Sequence, residues 1–414
     1  MVIKKIDFEV FLLSICCVLF LSPYIQRTVG TIGVLIFFGF YLLLEINHIL
    51  HCENYIIINV VLILFYIGIL LLYSLLGLSD KGAGQTNSVF FFLSYFLIIP
   101  IYKRLDMKKS IYLVTVCIVT IFFTMYQNYR LFIRMGYRFT QKWYRFGIKE
   151  AVNAQYVSAI MLFSGVLFCE YLIKKNSPKR YFYLALTVLS FMFNIIVTQR
   201  TITTLLSLAM FVLLFTVNGN MNSKKLFRVI LFSLLAILLI FGYKTILPWI
   251  ADLFGSERIS KRINSIITLA SSRNLSDVED SSLGVRLRLI GVSIHTVFDS
   301  IPNFLFGVGD KADNLLVGNH SYFFDEFAKF GIIGGTLSVV VVCRMMKTIQ
   351  LFSSIERSDI LRKLLTIIFF VMFMRSLIGA ILVPSIGVVM FVFTPLMFKL
   401  TNINQRNAEE KDAI

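Results

Sequence analysis

Six basic side chains between residues 128 and 149 recur at a spacing that places them on one side of a helix. They stand three or four positions apart with no acidic residue among them: Arg130, Arg134, Arg138, Lys142, Arg145 and Lys149. Because residues at this spacing are neighbours on a helix, like charges repel one another there unless an anion lies nearby. The stripe predicts either an amphipathic helix on anionic headgroups or a site for a phosphate-bearing ligand, since arginine forms bidentate contacts with phosphate.

A second pair of arginines belongs to a predicted helix that starts near residue 283. Apolar residues recur there at helical spacing: Leu283, Leu287, Ile290, Ile294 and Phe298. Arg286 and Arg288 stand about 200° apart around this helix, so one can face a binding site while the other faces solvent or headgroups. We expect Pro302 to end the helix and the glycines at 307 and 309 to form an open turn.

His320 is one of only 4 histidines and lies just before an apolar run that begins at Phe323. Imidazole titrates near neutral pH, so His320 can act as a general acid or base. It can equally be a polar anchor at the level of the headgroups. Four acidic residues are close enough in sequence to orient its ring, or they are simply solvated: Asp310, Asp313, Asp325 and Glu326.

Two further arginines stand in apolar surroundings. Arg200 follows Thr198 and Gln199 at the junction of two apolar runs, and Arg375 lies inside the last apolar stretch. A cation in hydrocarbon costs several kcal/mol, so such residues usually face an internal cavity and indicate a functional site. Arg200 has the alternative of reaching the interface with its long side chain.

The elements that position these residues are predicted to be membrane-spanning helices. Of 414 residues, 57% are hydrophobic, and the mean hydropathy is +0.81. This composition excludes a water-soluble enzyme, a disordered protein and a disulfide scaffold, and continuous apolar runs exclude a porin-type barrel. Since one span needs about 20 residues, we expect an all-α integral membrane protein with about twelve transmembrane helices.

Runs of spanning length divide this single polytopic domain, 1–414. They lie near 8–25, 29–46, 55–78, 87–102, 110–127, 151–173, 181–197, 201–217, 226–247, 327–346 and 364–400. The last run is too long for one span, and we expect it to divide into two helices around Gly379, Pro384 and Gly387. The connecting segments that stand out are a basic external loop at 128–149, a long and partly helical external loop at 248–326, and a cytoplasmic tail at 401–414. No metal site is predicted, because the six cysteines lack zinc-binding spacing.

The basic residues of the short loops predict the orientation, with both termini in the cytoplasm. The predicted internal residues are Lys4, Lys5, Lys103, Arg104, Lys108, Lys109, Lys174, Lys175, Lys179, Arg180, Lys224, Lys225, Arg228, Arg344, Lys347, Arg357, Arg362, Lys363, Lys399, Arg406 and Lys411. One internal loop, 47–54, is an exception and carries His48, His51 and Glu53 instead. The remaining basic residues lie mainly in the two external segments, which places an excess of positive charge outside.

The order of these features resembles the O-antigen polymerase (Wzy-type) and O-antigen ligase superfamily of polytopic, GT-C-type glycosyltransferases. The resemblance covers the topology of the whole chain and three local motifs. These are Thr198-Gln199-Arg200-Thr201, similar to T-x-[ST]-R; the Arg286 and Arg288 helix followed by Pro302 and Gly307-Val308-Gly309; and Asn319-His320-Ser321 before Phe330-Gly331-Ile332-Ile333-Gly334, similar to H-[NS]…G-[IL]-x-G. The chain departs from the family at Gln199, often a serine, and lacks the R-x10-G spacing in both loops.

The resemblance implies a polysaccharide polymerase of the bacterial cytoplasmic membrane. It would join undecaprenyl-diphosphate-linked oligosaccharide repeat units into O-antigen or capsular polysaccharide at the external face. His320 would take a proton from the acceptor sugar, Arg286 and Arg200 would hold the leaving diphosphate, and Arg375 would be a charge in an internal cavity. The supporting diphosphate contacts would come from Arg288, Arg130, Arg134 and Arg138.

The partners implied are an undecaprenyl-diphosphate-linked glycan donor and acceptor, membrane lipid, a chain-length regulator and a flippase. No metal, nucleotide cofactor or nucleic acid is implied. An O-antigen ligase uses the same donor with another acceptor, and the sequence does not separate the two. A lipid-linked oligosaccharide flippase is the rival from the transporter class, although it would concentrate its charges within the helices. A small-solute transporter would show inverted repeats, and none is evident.

Overall fold

The computed structural model describes residues 5–79, 83–145, 154–174, 177–198, 201–217, 282–311, 315–354, 359–379 and 381–401. These ranges are almost entirely helical, and their one β-type contact is an isolated bridge between Ser79 and Asp310. The all-α class predicted from the sequence is therefore confirmed for the described part of the chain.

Fourteen α-helices lie within the described ranges. In chain order they are α1 (Lys5–Leu21), α2 (Pro23–Leu50), α3 (Asn54–Leu75), α4 (Ala83–Leu93), α5 (Tyr95–Ile98), α6 (Met107–Arg145), α7 (Ala154–Ile173), α8 (Arg180–Phe193), α9 (Thr201–Val217), α10 (Ser282–Asp299), α11 (Ile301–Phe306), α12 (Tyr322–Ser354), α13 (Asp359–Leu377) and α14 (Pro384–Val388, extended through a π-helical turn at Val389–Phe393 to Thr401).

Six of these helices are long and apolar enough to cross a membrane. They contain the segments Pro23–Leu50, Asn54–Leu75, Met107–Arg134, Tyr156–Ile173, Tyr322–Gln350 and Pro384–Thr401. Two shorter apolar helical segments, Arg180–Phe193 and Thr203–Thr216, accompany them. The length and apolar composition of these helices indicate a membrane protein. The predicted span at 226–247 lies outside the described residues, as does the first part of the predicted long loop.

Several predicted helix boundaries were wrong because single polar residues and prolines redirect the chain. The runs 8–25 and 29–46 meet instead at Ser22, whose hydroxyl accepts a hydrogen bond from Ile25 N (3.4 Å) and caps α2, with Pro23 in its first turn. The run 87–102 is not one helix, since it breaks at Ser94 between α4 and α5. The predicted division of 364–400 is confirmed, because α13 ends before Gly379 and α14 begins at Pro384.

Pro302 does not end the preceding helix. That helix, α10, stops at Asp299, and Ser300 caps α11 by accepting a hydrogen bond from Asn303 N (3.3 Å). Pro302 then occupies the first turn of α11, where its missing N–H leaves no helical hydrogen bond unmade. The predicted glycine turn follows, with positive φ at Gly307 and Gly309, but it is closely packed against the backbones of Lys329 and Leu78.

The basic stripe continues a membrane-length helix. α6 runs unbroken for 39 residues from Met107 to Arg145, which is about 58 Å at the usual helical rise and exceeds the roughly 30 Å of a hydrocarbon core. The helix predicted for the stripe is thus confirmed up to Arg145, and Lys149 lies outside the described residues. The stripe is a helical extension of α6 and not a separate loop.

Polar contacts between α3 and α12 show which helix ends lie together. The early part of α3 contacts the late part of α12 through Asn59, whose side-chain oxygen accepts a hydrogen bond from Arg344 Nε (2.8 Å). The late part of α3 contacts the opposite end of α12, where Tyr66 donates to Glu326. The two helices are therefore antiparallel, and we call the two ends of the bundle the Arg104 end and the His320 end.

Several basic residues that the sequence predicts to be cytoplasmic lie at the Arg104 end. They are Lys5, Lys103, Arg104, Lys109, Lys174, Arg344 and Lys399, and each has a polar partner there. Lys399 on α14, for example, donates to the backbone carbonyl of Leu105 (2.8 Å) just before α6. Segments far apart in sequence thus place their basic residues on one side of the bundle.

Candidate functional site

The segment 376–379, where α13 ends, joins three parts of the chain at the His320 end. Arg286 Nη1 on α10 donates to the carbonyl of Ile378 (3.3 Å). From the start of α12, the Ser321 hydroxyl donates to the carbonyl of Ser376 (3.3 Å), and Tyr322 N donates to the carbonyl of Gly379 (3.4 Å). The segment therefore brings the arginine of one predicted motif to the residues that follow His320 in another.

The two arginines of α10 have different surroundings, as their angular separation predicts. Arg286 is half-buried against the 376–379 segment, whereas Arg288 is exposed. The helical spacing thus identifies which of the two guanidinium groups lies at the junction of α10, α12 and α13.

Arg375 lies inside the protein beside the same segment. Its side chain is 5% exposed, and its Nε donates to the hydroxyl of Ser158 on α7 (2.9 Å). Its guanidinium occupies the space above Gly379, so that a β-carbon at Gly379 would overlap the Nη1 atom. The predicted intramembrane arginine is thus held between two helices, and a glycine makes room for it.

His320 is exposed two residues before α12 begins, and the residue after it, Ser321, contacts the 376–379 segment. Its Nδ1 lies 3.1 Å from the carbonyl of Gly318. A carbonyl can only accept a hydrogen bond, so Nδ1 carries the proton in this contact and the neutral ring presents Nε2 as a base. The arrangement suits removal of a proton from a hydroxyl that approaches from outside.

Asp325 and Glu326 are buried and therefore not solvated, and no hydrogen bond joins either carboxylate to the His320 ring in the described part of the chain. Asp325 is 5% exposed and accepts hydrogen bonds from Ser293 Oγ (2.6 Å) and from Ser321 N (2.8 Å). The Ser293 hydroxyl in turn accepts from Gly318 N (2.9 Å). Asp325 therefore fixes the backbone on both sides of His320 to α10, and so positions the loop.

The other acids stabilise the fold around this loop. Glu326 is 6% exposed and accepts a hydrogen bond from Tyr66, while Asp310 pairs with Lys329 (2.8 Å). The Lys329 backbone carbonyl also accepts a hydrogen bond from Gly309 N (2.9 Å), which fastens the glycine turn to α12. Asp313 lies outside the described residues.

An apolar cavity of about 430 Å³ lies between α12 and α13. Tyr322, Phe323 and Ser376 line it at the His320 end, and Lys347, Gln350 and Thr366 line it toward the Arg104 end. Most of the wall is aliphatic and aromatic, so the cavity suits an apolar chain and not a polar solute. At the His320 end, its wall includes Ser376 and Tyr322, which belong to the junction that Arg286 contacts.

The remaining arginines of the predicted site are not joined to this junction by a described contact. Arg130 and Arg134 are exposed on α6, and the Arg130 guanidinium lies 5.8 Å from the ring centre of Tyr126. Arg138 is on the same helix, and Arg200 lies outside the described residues. α6 instead packs against α1 and against the turn that precedes Arg200.

That turn is a feature the sequence reasoning missed. Residues Asn194–Thr198 form a π-helical turn whose last residue is the first of the Thr198-Gln199-Arg200 motif, and Asn194 is fully buried. π-turns often occur at functional sites because they widen a helix and redirect its side chains. A single asparagine in the apolar run 181–197 was the available signal.

Comparisons with known proteins add no relative to this description. The chain matches no protein-family model, and no curated protein matches it significantly.

Proposed function

We propose that this protein is a polysaccharide polymerase that joins polyprenyl-diphosphate-linked repeat units, of the kind predicted by its resemblance to the Wzy-type superfamily. The observation that carries the proposal is the junction at 376–379. There Arg286 and Arg375, which belong to distant segments, lie against one short stretch of chain, and Ser376 of that stretch lines an apolar cavity. A lipid diphosphate has the matching chemistry, since it joins an anionic head to an apolar tail.

The two guanidinium groups supply the electrostatic part of the reaction. As the glycosidic bond breaks, negative charge develops on the leaving diphosphate, and positioned cationic donors stabilise that charge best in a site shielded from water. Arg375 is buried and Arg286 is half-buried, so both act in surroundings of reduced dielectric constant. Arg200 and the stripe with Arg130, Arg134 and Arg138 would attract the diphosphate headgroup from the membrane surface.

His320 supplies the base. An acceptor-sugar hydroxyl oxygen attacks the anomeric carbon of the donor glycan while the bond from that carbon to the diphosphate oxygen breaks. The hydroxyl proton passes to His320 Nε2, and polyprenyl diphosphate leaves with the electron pair of the broken bond. The Asp325 and Ser293 contacts hold the His320 loop during this transfer.

The cavity would receive the lipid chain. The chain already lies in hydrocarbon, so the cavity would gain little hydrophobic free energy from it and would position it by van der Waals packing against its walls. Because Ser376 and Tyr322 line the cavity, a chain that enters it at this end would place its diphosphate near the segment that Arg286 contacts.

The orientation follows from the division of charge between the two ends. Basic residues of short loops remain in the cytoplasm, so the Arg104 end would be cytoplasmic and the His320 end external. The proposal thus retains the bacterial inner membrane, both termini inside, about twelve spans including 226–247, and a GT-C-like arrangement.

Reconstitution tests the proposed activity. Purified protein in liposomes, supplied with a purified lipid-linked repeat unit, is expected to produce a ladder of longer lipid-linked glycans, and the His320→Ala variant should produce none. A ladder of wild-type intensity from the variant would remove His320 from the mechanism. Movement of the lipid across the bilayer without new bonds would indicate a flippase, and transfer only after lipid A core is added would indicate a ligase.

A further inference from the structure

Two glutamates are buried together at the Arg104 end. Glu9 on α1 and Glu45 on α2 are both fully buried, and each accepts a hydrogen bond from the guanidinium of Arg104 through its Oε2 atom. The distance from Arg104 Nη1 to Glu9 Oε2 is 2.7 Å. One guanidinium group therefore serves two buried carboxyl groups in a region of low dielectric constant.

The second oxygen of each carboxylate lacks a hydrogen bond. Among the described residues, neither Glu9 Oε1 nor Glu45 Oε1 receives one, although both atoms are shielded from solvent. Lys5 Nζ lies 3.8 Å from Glu9 Oε1, but the Lys5 side chain is 70% exposed and does not close the site. A buried charged acceptor without a donor carries an uncompensated desolvation cost, so these two oxygens favour a further cation.

His48 completes a set of three ligands. It follows Glu45 by three residues on α2 and is half-buried, so it lies between the carboxylates and the surface. One ring nitrogen of His48 and one oxygen from each glutamate lie within 4.8 Å of one another. Since zinc–ligand bonds are about 2.0–2.2 Å long, small side-chain adjustments suffice for one ion to reach all three atoms.

We propose that Glu9, Glu45 and His48 bind a divalent transition-metal ion such as Zn²⁺. Two carboxylates and one imidazole form a common ligand set for such ions, with a fourth position for water on the His48 side. Arg104 remains on the Oε2 atoms and holds both carboxylates in place, as supporting residues around metal sites do.

The site is structural and separate from the proposed chemistry. It connects α1, the end of α2 and the turn at Tyr102–Arg104, at the opposite end of the bundle from His320. It also gives a role to His48, in a predicted internal loop that carries histidines where the other internal loops carry lysine and arginine. The three ligands come from two helices, so no short sequence motif identifies them.

A zinc-binding measurement on the full chain tests the proposal. Detergent-purified protein is stripped with EDTA, titrated with ZnCl₂ or MgCl₂, desalted and analysed for bound metal. We expect one tightly bound Zn²⁺ per chain, no retained Mg²⁺, and a zinc-dependent rise in the thermal midpoint. His48→Gln should weaken zinc binding at least tenfold and abolish that rise, while its metal-free midpoint matches the wild type.

His51→Gln is the matched control. This exposed histidine stands one turn beyond His48, and its Nδ1 contacts the Asn47 carbonyl (2.6 Å) and not the glutamates. It should bind zinc like the wild type. If the wild type retains no stoichiometric zinc, or if His48→Gln retains it with unchanged affinity, the metal site does not exist. Glu45→Gln gives the same decision should His48→Gln fail to fold.

Discussion

Replacing Arg286 by alanine is expected to reduce chain extension by about 10²–10³-fold, the usual effect of removing one positioned donor from a developing anion. The Arg286 guanidinium lies at the 376–379 junction, where its Nη1 donates to the Ile378 carbonyl. The measurement is polymer length on gels, in a strain that lacks the native gene and expresses either form. The amount of protein in the membrane should not change, because one hydrogen bond to a backbone carbonyl contributes only about 1 kcal/mol.

Arg288→Ala is the control for this experiment. Arg288 is on the same helix, two residues further on, and its side chain is exposed. Loss of Arg288 removes the same charge from the same segment without removing a group from the junction, so its effect should be much smaller. Wild-type polymer from Arg286→Ala, or an equal loss from both variants, would exclude a specific role for Arg286.

Replacing Gly379 by alanine is expected to damage both stability and activity through Arg375. The backbone of Gly379 does not have a positive φ, so alanine is compatible with its conformation. The added methyl group would overlap the buried Arg375 guanidinium, which Ser158 holds on the other side. Overpacking of this kind lowers the free energy of unfolding by about 1–3 kcal/mol, and here it also displaces a cation from the junction.

A double-mutant cycle identifies the cause. Thermal unfolding in detergent is compared for the Gly379→Ala variant, the Arg375→Met variant and the double variant, because coupled residues deviate from additivity. The alanine should be much less harmful once the guanidinium is absent. Gly291 is an exposed residue of α10 with open space around its β-position, so Gly291→Ala should be harmless. An equal cost of Gly379→Ala in both backgrounds would show that Arg375 does not occupy the space above Gly379.

The sequence predicts the helices better than their junctions. Continuous apolar runs indicate spanning helices because a chain in hydrocarbon must satisfy its backbone hydrogen bonds within each segment. Local spacing also correctly separates Arg286 from Arg288, since both lie on one helix. The break at Ser22, the short helix starting before Pro302 and the division of 87–102 depend on capping hydrogen bonds and packing, which hydropathy does not describe.

The internal contacts of the candidate site were beyond sequence reasoning. Arg375 is predicted to face a cavity, but its partner Ser158 is 217 positions away in the chain. Asp325 is near His320 in sequence, yet its carboxylate bonds Ser293 on another helix. Such pairings follow from the way the helices pack, and the local sequence of each helix does not determine its neighbours.

Photolabelling with a polyprenyl diphosphate probe tests the central claim most directly. A diazirine in the apolar chain of the probe marks the helices that surround it, and mass spectrometry locates the marked peptides in the full-length protein in membranes. We predict labels in Tyr322–Gln350, in Asp359–Leu377 and near Ile381 and Met390, which all line the α12–α13 cavity. Unlabelled polyprenyl diphosphate should compete for them, and Arg286→Ala should weaken them. Labels spread over other helices, or labels in this cavity that neither competitor nor Arg286→Ala reduces, would contradict a lipid diphosphate site at this junction.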